Sequence, residues 1–195
     1  MGDNTEKDVT RRKTQSGVSM VEVIIVMGIV GVMASLAFPS FSQMFARSRL
    51  RATAEQIRAD LNVARSEAQK RNQTILMNFT INADNSWCYG LTTSASCNCT
   101  VTDAANTSYC FLDRDAGGVA IPSSVSSTNY RGIAFVGTPF TDHKITFNAV
   151  RPMLESSSVT LVSSDASARM RIIASGLGRI RFCSPDGSLG GYPSC

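Results

Sequence analysis

Arginines near the C-terminus are the residues whose type and spacing suggest the clearest chemistry. They lie in the run ARMRIIASGLGRIRFC at residues 168–183, where two alternating segments flank a Ser-Gly-Leu turn. This pattern predicts a β-hairpin, in which alternate side chains point to opposite faces. One face is apolar and is expected to join a core; it carries Met170, Ile172, Ala174, Ile180 and Phe182. The other face is basic; it carries Arg169, Arg171, Arg179 and Arg181.

The basic face of this hairpin lacks acidic neighbours in the sequence, because no Asp or Glu occurs between Ala166 and Cys183. If the turn is centred on Gly176, Arg171 lies opposite Arg181, and like charges opposed across a ladder are unfavourable unless an anion offsets them. Guanidinium groups bind phosphate through paired hydrogen bonds. The hairpin therefore predicts a surface for a polyanion such as DNA. The alternative is a solvated strand edge that the arginines keep from pairing.

Three further residues are weaker candidates for the same surface. Lys144 and Arg151 flank the segment ITFNAV and would extend the basic charge. Tyr192 is a candidate for stacking on a single-stranded base or, equally, for local packing. The sequence contains no base-reading helix, RNA-binding signature or zinc finger. We therefore expect recognition through phosphates, indifferent to base sequence and sensitive to salt.

The cysteines indicate disulfides formed in an oxidising compartment, because there are six of them and all follow the apolar N-terminal run. Cys183 and Cys195 flank a stretch of turn-forming residues and are predicted to close a small loop. A bond between Cys97 and Cys99 is sterically unfavourable, and the pairing is otherwise left open. The four cysteines whose pairing stays open are Cys88, Cys97, Cys99 and Cys110.

No metal, cofactor or catalytic site is expected from the sequence. The only histidine, His143, stands in TDHK without further ligands at zinc-like spacing. It also lacks an obvious serine or cysteine partner, the acidic residues form no recognisable pair, and no glycine-rich phosphate loop occurs. We therefore do not expect an enzyme.

The N-terminal part of the chain decides where these residues stand relative to a membrane. Residues 18–38 form an apolar run with a single charge, Glu22, of about the length that one helix needs to cross a bilayer. The preceding Arg11, Arg12 and Lys13 predict a cytoplasmic N-terminus. A carboxylate within lipid costs about 2.5–3.5 kcal/mol and normally has a partner. Glu22 therefore predicts a partner for its carboxylate, and the alternative is a plain membrane anchor.

An amphipathic helix is predicted to follow the apolar run. Small or apolar residues recur there at spacings of three and four, which places them on one stripe. The stripe consists of Leu50, Ala54, Ile57, Leu61, Ala64 and Ala68. Charged residues occupy the other face, and Asn72 is the expected end of the helix. Together with the apolar run, this predicts one long helix over residues 18–72.

A β domain is predicted over residues 73–195. Short β-prone runs separated by turn residues indicate an antiparallel sheet or two packed sheets. These runs are TILMNFTI, SWCYGL, SYCFL, GIAFV, KITFNAV, SVTLVS, ARMRIIAS and GRIRFC. The polar connectors TTSASCNCTVTDAANT and IPSSVSSTN are predicted to be surface loops. The expected fold class is α+β, a long N-terminal helix packed on a C-terminal antiparallel sheet domain.

The N-terminal pattern resembles the prepilin signature of type IV pilins and pseudopilins. It has a basic leader over residues 1–17 that ends in Gly17, an apolar helix with Glu22 at its fifth position, and Pro39 behind it. The resemblance implies that a prepilin peptidase cuts between Gly17 and Val18 and methylates the new amino terminus. It also implies that Glu22 contacts the terminal amine of a neighbouring subunit. Val18 stands where phenylalanine or methionine is commoner in that family.

The whole chain resembles the minor pilins and pseudopilins of the GspH/FimT family, most closely the FimT type. Gly178-Arg-Ile-Arg181 is similar to a GRxR motif in FimT-type pilins, which bind DNA during natural transformation. The resemblance implies that Arg179 and Arg181 contact double-stranded DNA. It also implies a single pass through the inner membrane with a periplasmic domain, followed by an extracellular pilus with other pilin subunits. The alternative is a structural or priming minor pilin, or a type II secretion pseudopilin, without DNA binding.

Overall fold

The computed structural model describes residues 17–114, 116–137, 139–149 and 156–195, except for the side chains of residues 36–40 and 141. The predicted leader lies outside these residues apart from Gly17, and so does Arg151. The chain divides into two compact units, Met1–Ser40 and Phe41–Cys195.

The first unit contains the N-terminal part of helix α1, which as a whole runs over Met20–Arg71. Its apolar side chains from Val18 to Met33 are exposed. In the ranges given above, no helix is long and apolar enough to cross a membrane. The predicted span of residues 18–38 extends into residues 36–40, whose side chains are outside the description. The span therefore stays a prediction.

The second unit is built around the C-terminal half of α1, where the predicted stripe is confirmed. Each of its six residues, from Leu50 to Ala68, is fully buried. They share one core with side chains of the β domain, among them Met77, Leu161 and Met170. A stripe of small and branched side chains lets the helix approach the sheets closely.

Helix α1 ends at Arg71, one residue before the Asn72 that the sequence indicated as its end. Asn72 has a positive φ of 52°, a conformation that asparagine tolerates better than most residues. Its amide donates to the Gln69 carbonyl, and the Gln73 amide donates to the Ala68 carbonyl. These two hydrogen bonds satisfy carbonyls of the last turn and stop the helix.

Within the described residues, ten strands form three antiparallel sheets. Two are four-stranded, with the orders β5-β2-β1-β7 and β10-β9-β8-β6, and β3-β4 form a small third sheet. The strands are β1 Ile75–Ile81, β2 Trp87–Thr92, β3 Phe111–Arg114, β4 Ala120–Pro122, β5 Ser124–Ser126, β6 Ile133–Val136, β7 Lys144–Phe147, β8 Ser157–Ser163, β9 Arg169–Ala174 and β10 Ile180–Cys183. Short 3-10 helices occupy Ser127–Asn129 and Thr141–His143. The predicted α+β class with packed sheets is confirmed.

One connector was predicted wrongly. The segment IPSSVSSTN was expected to be a surface loop, but it contains most of β4 and all of β5. Val125 lies opposite Tyr89 of β2, while serines flank it on both sides. Three-residue strands at sheet edges bury too few side chains to show an apolar alternation, so their pairing is set by the neighbouring strand and not by local sequence.

Three disulfides tie the β domain together. Cys183 bonds to Cys195, which confirms the predicted C-terminal loop. The four remaining cysteines pair as Cys88–Cys99 and Cys97–Cys110, and no bond joins Cys97 to Cys99. The first of these bonds fixes the connector between β2 and β3 to β2, and the second joins Cys97 within the connector to Cys110, the residue before β3.

Two polar contacts fix the helix to the first sheet and to the small sheet. The Tyr89 hydroxyl donates to Asp60 Oδ2 at 2.6 Å. The pKa of Tyr89 is raised, mainly because the hydroxyl is buried and secondly because it makes this hydrogen bond. At the helix end, Arg71 donates to the Leu112 carbonyl and to Asp113 Oδ2, at 2.8 and 2.9 Å. It also donates to Glu67 on its own helix at 2.7 Å.

The buried stripe predicts a large loss of stability for Leu61→Ala. Removing a fully buried leucine leaves a cavity, so the free energy of unfolding should fall by about 2–5 kcal/mol. Urea unfolding followed by fluorescence of the single tryptophan, Trp87, measures this change. Val63→Ala is the matched control because Val63 is on the exposed face, and it should change stability by about 0.5 kcal/mol or less. Equal losses in both variants would contradict the packing described here.

The contacts of Arg71 predict a pH dependence of stability. Hydrogen bonds from Arg71 lower the pKa of Glu67 and of Asp113. A lowered pKa contributes stability above the ordinary values of 4.5 and 3.8, and that stability is lost as the pH falls through the folded values. Arg71→Gln should therefore destabilise the protein at pH 7, and the difference from wild type should shrink below about pH 4.

Thermal unfolding of wild type and Arg71→Gln at several pH values checks this expectation. Lys70→Gln is the control, since the exposed Lys70 ammonium lies 3.4 Å from Glu67, farther than the 2.7 Å of Arg71 Nε. Its effect should be smaller at every pH. A difference between Arg71→Gln and wild type that persists unchanged at pH 3 would refute the assigned role.

Candidate nucleic-acid interface

The predicted arginine hairpin is strands β9 and β10, and its register differs from the expected one. Arg181 lies opposite Ile173, and Cys183 lies opposite Arg171. The expectation that Arg171 opposes Arg181 was therefore wrong. The reason is the turn, which is centred near Leu177 and not on Gly176, so the partner of Arg181 moves along β9 by two residues. A shift of two residues keeps every side chain on its predicted face.

Gly178 sets the geometry of this turn. The Gly178 amide donates to the Ser175 carbonyl at 2.7 Å, and the Ser175 amide donates to the Arg179 carbonyl at 3.0 Å. Gly178 has a φ of 75°, which a side chain disfavours. The glycine of the GRxR motif is thus the residue that lets the chain turn directly before Arg179 and Arg181.

The two faces of the hairpin are occupied as the alternation predicted. Met170, Ile172 and Ala174 are fully buried, and Ile180 and Phe182 pack against the same core. On the outer face, Arg169 and Arg181 are exposed, and Arg179 is exposed at the end of the turn. Arg171 is half-buried, because its Nε donates to Thr160 Oγ1 of β8 at 3.1 Å.

The electrostatics of the second large sheet are one-sided. Its four strands, β6, β8, β9 and β10, contain no acidic residue. In the part of the chain that the structure describes, no ion pair involves any arginine of the hairpin. The outer face therefore carries positive charge without internal compensation, which attracts anions.

The acidic residues that flank this sheet are held by their own loops. Asp165 accepts hydrogen bonds from Ser163 and the Ser167 amide, and bonds from Ser163 and Ser167 lower its pKa. Asp186 is held likewise by serines of the C-terminal loop, and its pKa is lowered. Arg169 lies beside that loop, since its amide donates to Ser188 Oγ at 3.0 Å. Arg179 lies at the other end of the hairpin, next to the turn.

The weaker sequence candidates fall elsewhere. Lys144 begins β7, an edge strand of the first large sheet, so strand pairing does not bring it beside the hairpin. Tyr192 packs edge-on against Phe182 at 6.1 Å, which is the local packing that the sequence left open. Gly17 and Val18 precede α1, and Glu22 is exposed in its first turn. Among the described residues, no three potential metal ligands cluster, and His143 is exposed in a 3-10 helix.

Sequence reasoning missed three contacts from the helix to this site. Arg51 donates to the Gly190 carbonyl at 2.9 Å, and Arg65 donates to the Gly178 carbonyl at 3.1 Å. Arg58 lies over the Phe182 ring, 5.2 Å from its centroid. The sequence signal for these contacts was the spacing of seven residues between Arg51, Arg58 and Arg65, which places all three on one flank of the buried stripe.

The opposite flank of the helix carries different features. Two surface cavities of about 380 and 340 Å³ lie there, and both are lined by Arg49 and Arg131. Tyr130 lines the larger one, and Asp165 lines the smaller one. Neither cavity includes a residue of the hairpin.

A long N-terminal helix whose second half packs on antiparallel sheets is the architecture of pilins and pseudopilins. The chain belongs to the family described as Type II transport protein GspH, which matches residues 53–178. A prokaryotic N-terminal methylation motif matches residues 12–38. That motif implies a membrane-anchored pilin with a C-terminal domain, processing by prepilin peptidase and assembly with other pilins.

Solved structures similar to the chain are also minor pilins and pseudopilins. The type IV minor pilin FimU of Pseudomonas aeruginosa strain PAO1 has 18% identity and a TM-score of 0.45, over 69% of this chain and 88% of that one. The minor pseudopilin EpsH from the Type 2 Secretion System of Vibrio cholerae has 11% identity and a TM-score of 0.44, over 71% and 98%. No curated protein sequence matches the chain. The family is described as a type II transport protein, and these neighbours are a minor pilin and a minor pseudopilin.

The backbone of Gly178 predicts that Gly178→Ala weakens the turn. A non-glycine residue in the left-handed region costs roughly 1–2 kcal/mol, so the free energy of unfolding should fall by about that amount. Gly176→Ala is the matched control, because a methyl group there meets only Ser156 Oγ at 3.7 Å. Urea unfolding compares the two variants. A Gly176→Ala variant that loses as much as Gly178→Ala would contradict this account of the turn.

Proposed function

We propose that this protein is a minor type IV pilin that binds extracellular double-stranded DNA without sequence preference. The binding surface is the outer face of β9 and β10, with Arg179 and Arg181 as the main contacts and Arg169 and Arg171 beside them. DNA bound there would be taken up during natural transformation. The protein would be a single-pass inner-membrane protein with a periplasmic domain before it joins the pilus.

The observation that carries this proposal is the uncompensated charge of the hairpin. Two exposed arginines follow a tight turn, and the sheet that they border has no acidic residue in its strands. Phosphate offers the charge and the paired acceptors that guanidinium groups need. The hairpin presents no helix or loop suited to a base edge, so binding through the backbone of DNA fits best.

A second candidate function is a structural or priming subunit without a ligand. The matching family is described as a type II transport protein, and one similar structure is a type 2 secretion pseudopilin. In that case the arginines would protect the edge strand β10 from pairing with other chains. The two functions differ in one measurable property, which is affinity for DNA.

The proposed function predicts that Arg179→Ala/Arg181→Ala loses DNA binding. The measurement is fluorescence anisotropy of a labelled random-sequence duplex with the full-length protein in nonionic detergent, from 50 to 200 mM salt. The slope of log affinity against log salt is negative, and each lost phosphate contact should make it shallower by about 0.9. Each lost contact should also lower the affinity roughly eightfold at 0.1 M salt. Wild-type binding should weaken steeply with salt.

Arg49→Ala/Arg131→Ala is the control, because it removes the same charge from the opposite flank of the helix. It should bind DNA almost as wild type does. If folded wild-type protein does not bind the duplex even at 50 mM salt, the DNA-binding function is wrong and the structural subunit is favoured.

A further inference from the structure

We propose that helix α1 supplies a second row of phosphate-binding arginines, Arg51, Arg58 and Arg65, which continues the hairpin surface around the edge strand β10. This inference rests on the proposed function, because it assigns further contacts for the same DNA. It gives the duplex a track with arginines on both sides of β10.

The three arginines are held against the hairpin and its C-terminal loop. The guanidinium group of Arg58 lies over the ring of Phe182, which is on the inner face of β10. Arg65 Nη1 donates to the carbonyl of Gly178 in the turn, and Arg51 Nη2 donates to the carbonyl of Gly190. These contacts place positive charge beside the strand that carries Arg181.

The contacts leave binding capacity on each guanidinium group. A guanidinium has five N–H donors, and the hydrogen bonds of Arg51 and Arg65 to carbonyls use one nitrogen each. The guanidinium carbon of Arg58 lies 5.2 Å from the centroid of the Phe182 ring, a contact that uses none of its N–H donors. Pre-positioned arginines lose less rotamer freedom when they bind phosphate.

One acidic residue competes with phosphate in this row. Glu55 Oε2 lies 3.6 Å from Arg58 Nη1, and both side chains are about half exposed. An exposed ion pair of this kind contributes little, so phosphate can replace it. Across the described residues, neither Arg51 nor Arg65 forms an ion pair.

The spacing of the row suits an extended polyanion. Seven residues are nearly two helical turns, so all three arginines stand on one flank of α1. With a rise of 1.5 Å per residue, the row is about 21 Å long, which equals roughly six base-pair steps of 3.4 Å. Among the described strands, β10 pairs only with β9, and beyond its end an isolated bridge joins Ser184 to Ser194. No described strand therefore lies between this row and Arg181.

The test compares Arg51→Gln/Arg58→Gln with Arg49→Gln/Arg131→Gln in the full-length protein. Both variants remove two positive charges, but the second pair lines the cavities on the opposite flank of α1. The probe is the same labelled duplex in the same salt series. We expect Arg51→Gln/Arg58→Gln to make the salt dependence of the affinity shallower by about 1.8 in slope and to lower the affinity by more than tenfold. We expect Arg49→Gln/Arg131→Gln to leave the slope unchanged.

Arg58→Lys provides a check on folding, because it keeps the charge near Phe182 and should retain most of the affinity. Thermal unfolding of all variants excludes a loss of fold as the cause. Equal losses of DNA affinity in the two double variants would indicate an effect of total charge and would contradict the proposed row. Wild-type affinity in Arg51→Gln/Arg58→Gln would contradict it as well. The proposed function fails separately, through absence of binding by the wild-type protein.

Discussion

The domain depends on the burial of a single stripe of helix α1 between two sheets. Every residue of that stripe, from Leu50 to Ala68, is excluded from solvent. Once this stripe is buried, the helix cannot rotate, and its two flanks acquire fixed surroundings. One flank meets β10 and the C-terminal loop, and the other meets the loop before β6. The distribution of charge around the site follows from this packing.

Periodic patterns were enough to predict most of the fold from sequence. The stripe, the end of the helix near Asn72 and the two faces of the hairpin all depend on local alternation or local backbone preference. The register of β9 and β10 was not predictable in the same way, because it depends on hydrogen bonds of the turn around Gly178. Strand β5 was missed since its pairing with β2 is a long-range contact.

In the candidate site too, local patterns were predictable from the sequence and long-range contacts were not. The sequence identified the arginines of the hairpin because they alternate with apolar residues, but it gave no sign that Arg58 lies over Phe182. That contact joins residues more than one hundred positions apart, and only the docking of the helix brings them together. Lys144 was included because it is basic, whereas the sheet order separates it from the hairpin.

The disulfide between Cys183 and Cys195 has a consequence for when the basic surface is complete. Cys183 is the last residue of β10, and the loop that it closes contains Tyr192, which lies beside Phe182. Such bonds form in oxidising compartments and are rare in the cytosol. The loop that Arg51 contacts is therefore fixed only where thiols are oxidised, so completion of this surface is linked to the redox state of the compartment.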